Sequence, residues 1–156
     1  MISLKKLCSI LVALTMLIVV LTGWYFLFLT PFPIGESPYK KPNDNIMAYS
    51  EKDKYPPDVQ EILITVSNTG TRLWEFSLGC KLEILDNNVW HSLSMHSLTR
   101  YQTPGAANIV EPESTITIVQ SLQQYAKKFR SGKYRLILYS SDTDFATVEF
   151  EIIENK

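Results

Sequence analysis

Few residues of this 156-residue chain have the types and spacing that catalysis or metal binding requires. His91 and His96 lie five positions apart, which places them on opposite faces of a strand, and no cysteine or carboxylate accompanies them between residues 89 and 99. Asp142 and Asp144 occur in a short acidic stretch that lacks the glycine and the closing glutamate of a calcium loop. We therefore expect surface imidazoles and a polar hairpin turn, and we predict no catalytic residue, no metal site and no cofactor.

The two cysteines, Cys8 and Cys80, do not suggest a disulfide, because Cys8 belongs to an apolar run at the amino terminus. Cys80 alternates with Leu82 and Ile84. This alternation predicts a buried thiol on a strand rather than a reactive nucleophile.

A cluster of basic residues is a candidate partner surface. Its members fall within nine positions and are Lys127, Lys128, Arg130, Lys133 and Arg135. Such a cluster can face an anionic wall polymer or lipid headgroups, and a solvated surface explains it equally well. Ile137 and Tyr139, on the nominally outward face of the same strand, extend the candidate surface. The whole chain carries 15 basic and 16 acidic residues, which argues against nucleic acid as a partner.

The amino terminus predicts a membrane anchor. Residues 1–6 form a basic cytoplasmic lead, and residues 7–29 contain neither a charge nor a proline. As a helix this run would be roughly 34 Å long, enough to cross a hydrocarbon core of about 30 Å. Lys5 and Lys6 place its start in the cytoplasm, so we expect a single-pass protein of the cell membrane with its carboxy-terminal domain outside. The alternative is a signal peptide cleaved near Gly23, which would release a soluble secreted domain.

Residues 30–45 contain four of the eight prolines of the chain. Proline fixes φ and has no amide N–H, so this segment predicts extended geometry rather than a helix or a central strand. We expect a proline-rich stalk that holds the following domain away from the bilayer.

Residues 46–156 show the period-two alternation of β-strands. The clearest runs are 61–67, 72–77, 80–84, 115–118, 133–140 and 147–152. Asp86, Asn87 and Asn88 predict the turn of a hairpin, because asparagine tolerates positive φ. A short helix around 121–128 would be a crossover and not a packing layer. The pattern as a whole predicts an all-β sandwich.

Four segments resemble the bacterial Ig-like domains found in secreted or membrane-attached proteins, mainly of Firmicutes. They are Glu51–Asn68, Leu82–Trp90, Val110–Ser114 and Ser131–Arg135. Two turns depart from the usual pattern: Asn87-Asn88 replaces a turn glycine, and Glu111-Pro112-Glu113 lacks the glycine that follows proline. The resemblance implies an immunoglobulin-like β-sandwich with an extracytoplasmic location, and it brings no general enzymatic activity.

Three residues are expected to have structural roles. Gly132 and Tyr134 have the spacing of a tyrosine corner, in which the phenol hydroxyl bonds back to the preceding loop. Trp90 is expected to fill one end of the core.

The sequence thus predicts a non-catalytic, membrane-anchored, extracytoplasmic Ig-like domain that binds a protein or a cell-envelope component. The alternatives are an enzyme or inhibitor with a site in the 94–107 loop, together with His91 or His96, and the secreted soluble domain described above.

Overall fold

The computed structural model describes residues 4–29, 31–95 and 107–154. Helix α1 spans Leu4–Leu29. The strands are β1 Pro33–Glu36, β2 Ile46–Ser50, β3 Lys54–Tyr55, β4 Glu61–Asn68, β5 Trp74–Ser77, β6 Cys80–Asp86, β7 Val89–Leu93, β8 Ala107–Val110, β9 Ser114–Ser121, β10 Gly132–Tyr139 and β11 Phe145–Ile152.

The described strands form three sheets. The largest has the order β1-β7-β6-β10-β11-β3, the second has the order β2-β4-β9, and the third pairs β5 with β8. Pairing is antiparallel except between β3 and β11, which run parallel. The all-β prediction is confirmed.

The core lies between the six-stranded and three-stranded sheets, because each strand turns alternate side chains inward. On β4 the buried apolar residues are Ile62, Ile64 and Val66. The facing sheet contributes a larger set of buried side chains, namely Cys80, Leu82, Ile84, Tyr134, Leu136, Leu138, Val148, Phe150 and Ile152.

The predicted hairpin joins β6 to β7. Asp86 pairs with Val89, and the two residues between them, Asn87 and Asn88, have φ values of 49° and 62°. Two successive positive φ angles twist a two-residue turn in the sense that antiparallel strands require, and asparagine adopts them at low cost.

Helix α1 contains the apolar run predicted as an anchor. Within it the structure describes the side chains of Lys6 and of residues 11–23, all of which are exposed. Over the described residues, no helix combines the length and the apolar character needed to cross a membrane. The membrane span over residues 7–29 stays a prediction.

The prediction that residues 30–45 form a stalk is corrected, because the described part, residues 31–45, packs on the sandwich. We call residues 31–45 the strap. Glu36 pairs with His91 on β7, the amide of Asn43 donates to the carbonyl of Phe145, and Tyr39 is buried. Proline does favour extended backbone here, but extended backbone is also the geometry of an edge strand, where Pro33 loses no essential hydrogen bond. The strap therefore begins as the edge strand β1 and then crosses the outer face of the six-stranded sheet, where Tyr39 packs on Ile137.

The short helix expected around residues 121–128 is also corrected. These residues form turns, in which the amide of Tyr125 donates to the carbonyl of Leu122. Leu122, Tyr125 and Ala126 are buried in the main core, as is the following Phe129. The segment is therefore a packing element that closes one end of the sandwich.

Candidate functional site

The basic cluster divides between the surface and the interior. Lys127, Lys128, Arg130 and Lys133 are exposed, whereas Arg135 is buried. Ile137 is also fully buried, and Tyr139 is half-buried. The prediction that Arg135 and Ile137 belong to a partner surface is therefore corrected, because both are buried. The four exposed basic residues, which we call the basic end, stay a predicted partner surface.

Arg135 is buried because the strap covers the outward face of β10. Its Nε donates to Oε2 of Glu83 at 2.7 Å, and its Nη2 donates to Oγ of Ser37 and to the carbonyl of Tyr39, both at 3.1 Å. The hydroxyl of Ser92 donates to the second carboxylate oxygen of Glu83 at 3.2 Å. A buried ion pair needs such additional hydrogen bonds to offset its desolvation.

Trp90 does not fill the core, and that expectation is corrected. It pairs directly with Leu85 on β6, and directly paired residues share one face of a sheet. Since Leu82 and Ile84 point inward, the alternation of the strand makes Leu85 point outward, and Trp90 opposite it points outward as well. The alternation of residues 82–85 in the sequence is sufficient to predict this. The half-buried indole lies 4.5 Å from the Arg135 guanidinium, as a cation–π contact.

The tryptophan of the core is Trp74 on β5. Its ring stacks on Phe76 with the centroids 4.5 Å apart, and its Nε1 donates to Oδ2 of Asp144 at 3.1 Å. Asn43 donates to the other oxygen of the same carboxylate at 2.7 Å. Asp144 therefore connects the strap to the core.

Asp142 has a comparable role beside Tyr39. The Tyr39 hydroxyl donates to Oδ1 of Asp142 at 3.1 Å and accepts a hydrogen bond from Lys81. The ring of Tyr39 packs edge-on against Phe145, and both cover Ile137. Among the described residues, no group of three histidine, cysteine or acidic side chains is placed to hold a metal ion.

The thiol and imidazole candidates are not brought together. Cys80 is buried, as its alternation predicted, and burial raises the pKa of its thiol to about 12. His91 is half-buried on β7, opposite Ile84 on one side and Glu36 on the other. His96 and residues 96–106 of the predicted loop lie outside the described residues.

The tyrosine corner has the expected geometry. The buried Tyr134 donates its hydroxyl hydrogen to the carbonyl of Arg130 at 2.8 Å, and Gly132 begins β10 opposite Ile152. The ring of Tyr134 stacks on that of Phe150 at a centroid distance of 5.9 Å. Burial raises the pKa of Tyr134 to about 12.

A polar cavity of about 450 Å³ opens beside Trp74. It is lined mainly by amide side chains and loop residues, with Arg72 and Asp144 as its charged groups. The carboxylate of Asp144 is already bonded to Asn43 and Trp74, and the lining contains no cysteine, serine or histidine. The one hydroxyl side chain in the lining is that of Thr71.

The outer face of the β2-β4-β9 sheet carries a group of exposed apolar side chains. Its exposed large side chains are Met47, Tyr49, Leu63 and Val119. Tyr49 is paired with Thr65, which is paired in turn with Thr117, and Leu63 is paired with Val119. The apolar groups thus flank a row of threonines on one flat face, which we call the threonine face. Alternation on β4 and β9 gave the outward residues, but the pairing that groups them is a long-range property.

Residues 42–151 match the family model of the bacterial Ig-like domain. A comparison with curated proteins gives no significant match.

Three enzymes of known structure show a low similarity to this chain over part of their length. An alkylpurine DNA glycosylase from Pseudomonas fluorescens is 8% identical, with a TM-score of 0.40 over 71% of this chain and 31% of that protein. A β-glucosidase from Listeria innocua is 11% identical, with a TM-score of 0.37 over 69% and 16%. A cycloisomaltooligosaccharide glucanotransferase from Paenibacillus sp. is 15% identical, with a TM-score of 0.41 over 73% and 14%. The chain spans less than a third of each protein, and these similarities carry no argument about its activity.

Proposed function

Since this chain belongs to the bacterial Ig-like domain family, we propose that it is a non-catalytic binding module, held at the outer surface of the cell membrane by residues 7–29. Its partner is a protein that docks on the threonine face. The observation that carries the proposal is the grouping of exposed Met47, Tyr49, Leu63 and Val119 on one side of the sandwich.

The anchoring part of the proposal is supported by the apolar character of α1. Large apolar side chains are exposed at nine of the eleven positions from Leu11 to Leu21. They point in all directions around the helix, because no polar residue but Thr15 interrupts them. Leaving a side chain of this size in water costs roughly 1.5–3 kcal/mol, and a bilayer removes that cost. Lys5 and Lys6 before the run favour an orientation with the sandwich outside the cell.

The non-catalytic part is supported by what the described titratable groups do. Cys80 is buried, Glu83 is paired with Arg135, and Asp144 accepts two hydrogen bonds from neighbours. Each of these groups makes its contacts within the fold. An Ig-like sandwich with such an arrangement is suited to binding through its surface.

The threonine face suits a protein partner. Flat apolar patches with a polar surround are typical of protein–protein interfaces, where aromatic and methionine side chains contribute more than their share. Tyr49 supplies a rigid aromatic anchor, and the hydroxyls of Thr65 and Thr117 supply hydrogen bonds between the apolar groups.

The basic end supports a second candidate function, the binding of an anionic envelope polymer. The ion pairs within the described residues include none of Lys127, Lys128, Arg130 and Lys133. Lys133 lies opposite Glu151 across the β10–β11 pair, so Lys127, Lys128 and Arg130 are the main cations available to a polyanion. Exposed cations attract polyanions, and this attraction weakens with salt.

Site-specific photo-crosslinking in intact cells distinguishes these functions. A photoreactive amino acid is placed at Tyr49 on the threonine face, at Lys128 on the basic end, or at exposed Glu75 as the control. A defined protein adduct from Tyr49 and none from Glu75 supports the first function. A protease-resistant polymer adduct from Lys128 supports the second. Equal, diffuse labelling from all three positions would contradict both.

The anchor is tested separately with the same cells. Alkaline carbonate extraction should leave the intact chain, with its amino terminus, in the membrane pellet. A mature protein that begins near Trp24 and is recovered from the medium would instead establish the secreted domain.

A further inference from the structure

The sandwich is attached almost directly to the end of α1. The helix ends at Leu29, and Phe32 is already fixed to the loop after β7. The amide of Phe32 donates to Oγ of Ser94 at 3.3 Å, and the amide of Ser94 donates to the carbonyl of Phe32 at 3.0 Å. Only residues 30 and 31 lie between, and two residues span about 7 Å at most.

The edge nearest to this connection carries exposed apolar side chains. Phe32 is 50% exposed, Ile34 is 63% exposed, and Met95, next to Ser94, is 48% exposed. Ile34 is the extra residue of a bulge, because the pairing of β1 with β7 shifts register between Pro33 and Gly35. A bulge re-aims one side chain out of the strand alternation, and here it points an isoleucine outward at the sheet edge.

The same edge is poorly suited to pairing with another strand. Pro33 has no amide hydrogen, and the bulge interrupts the ladder. Both features hinder the addition of another strand at this edge. Exposed apolar groups on such an edge need a partner that does not require regular backbone hydrogen bonds. A lipid surface satisfies this condition.

We propose that the sandwich lies against the bilayer, with Phe32, Ile34 and Met95 inserted into the interfacial region of the outer leaflet. This inference rests on the proposed membrane anchoring by residues 7–29. The helix end delivers this edge to the interface, the short connection keeps it there, and aromatic and aliphatic side chains partition favourably into that layer. Ser92 on β7 pairs with Glu83 on β6, which pairs with Arg135 on β10. Phe32 and Met95, beside Ser94, are therefore level with the carboxyl end of β10, whereas the basic end lies at its start.

Fluorescence quenching in vesicles tests the contact. The full chain, with Cys8→Ser and Cys80→Ala, receives one cysteine at Ile34, at Met95 or, as the control on the threonine face, at Val119. Each cysteine is labelled with an environment-sensitive dye, and the protein is reconstituted into phosphatidylcholine vesicles that contain a spin-labelled quencher lipid. We expect blue-shifted emission and at least threefold stronger quenching at positions 34 and 95 than at position 119.

Vesicle flotation measured on the same samples distinguishes a failure of the docking proposal from a failure of the proposed membrane anchor. Protein that floats with the vesicles while positions 34, 95 and 119 are quenched equally overturns the docking proposal and leaves the anchor intact. Protein that does not float overturns the anchor. Dye protection at position 34 in native membranes but not in pure lipid vesicles assigns the edge to a protein partner and overturns lipid docking.

Discussion

Arg135 and Glu83 lie directly opposite each other on β10 and β6, and their ion pair lies on the face of the sheet that turns away from the main core. Glu83 is completely buried, and Arg135 is 8% exposed. Such a pair can be buried on an outer face only because the strap covers it. The Oγ of Ser37 and the carbonyl of Tyr39 accept hydrogen bonds from Nη2 of Arg135. The pair therefore fixes the strap, and with it the connection to α1, to the sandwich.

We expect Glu83→Ala to lower the free energy of unfolding by roughly 3–5 kcal/mol, because a buried guanidinium would lose its counter-charge. Chemical denaturation of the full chain in detergent measures the effect. Glu36→Ala is the matched control, since its carboxylate pairs with Lys40 in an exposed ion pair, and exposed pairs contribute little to stability. Combining Glu83→Leu with Arg135→Met should recover most of the loss. Equal, small losses in Glu83→Ala and Glu36→Ala would contradict the role given to the pair.

The two tryptophans should differ sharply in their contribution to stability. Trp74→Ala removes a buried ring from Phe76 and a hydrogen bond to Asp144, and we expect a loss of roughly 3–5 kcal/mol. Trp90→Ala removes a half-buried ring from Arg135, for which about 1 kcal/mol is expected. Thermal melting followed by circular dichroism compares them. A larger loss for Trp90→Ala would restore the original assignment of Trp90 to the core.

Local patterns predicted the main strands, because each has one face buried and one exposed. The alternation of Ile62, Ile64 and Val66 is a direct consequence of the position of β4 between core and solvent. The Asn87-Asn88 turn was equally local, since it depends on the φ range that asparagine tolerates. The position of Tyr134 was predictable from the tyrosine-corner motif, which consists of Gly132 and Tyr134 only.

The misassigned elements are those that depend on distant partners. The strap was correctly expected to be extended, but nothing local shows that an extended chain will pair with β7 some 55 residues later. Residues 122, 125, 126 and 129 have helical spacing, and they are buried together by turns instead. Arg135 belonged to a basic run in sequence, yet its carboxylate partner comes from another strand.

Alkaline pH should destabilise the fold. Burial raises the pKa of Cys80 from 9.0 to about 12 and that of Tyr134 from 10.0 to about 12, so the folded state holds these protons longer than the unfolded state does. The stabilising contribution is complete below pH 9 and is lost as the pH rises from 9 to 12. Urea midpoints measured between pH 7 and pH 11.5 should therefore fall above pH 9. A midpoint that stays constant or rises over this range would contradict the burial of both groups.

The same burial predicts that Cys80 is unreactive in the folded protein. In a Cys8→Ser background, a thiol reagent at pH 8 should modify Cys80 only as fast as the protein opens, because both the thiolate and access are lacking. Met47→Cys, on the exposed threonine face, provides the control and should react within minutes. Reaction of Cys80 at the rate of the control would indicate an accessible thiol.

The hydroxyl of Tyr125 should contribute more to the free energy of unfolding than the hydroxyl of Tyr134, although both form hydrogen bonds with the backbone. The Tyr125 hydroxyl donates to the carbonyl of Cys80 at 2.8 Å and accepts from the amide of Leu82 at 3.0 Å. Tyr125→Phe therefore removes a hydrogen-bond partner from both of these buried backbone groups. We expect a loss of roughly 2–3 kcal/mol, against about 1 kcal/mol for the single bond removed by Tyr134→Phe. Thermal melting compares the variants, with exposed Tyr49→Phe as an unchanged control. A smaller effect at Tyr125 would contradict this arrangement.

The turn between β8 and β9 offers a stabilising substitution. Glu113 has a φ of 54°, a left-handed conformation that costs a residue with a side chain roughly 1–2 kcal/mol and costs glycine almost nothing. This is the turn in which the related domains have glycine after proline. After allowing for the greater backbone entropy of unfolded glycine, we expect Glu113→Gly to raise the free energy of unfolding by about 0.5–1 kcal/mol. Glu111→Gly is the matched control, because Glu111 is an exposed residue of the same turn and charge without a positive φ, and it should lower stability by a similar amount. Denaturation midpoints that shift in the same direction for the two variants would show that charge removal, and not backbone conformation, determines stability at this turn.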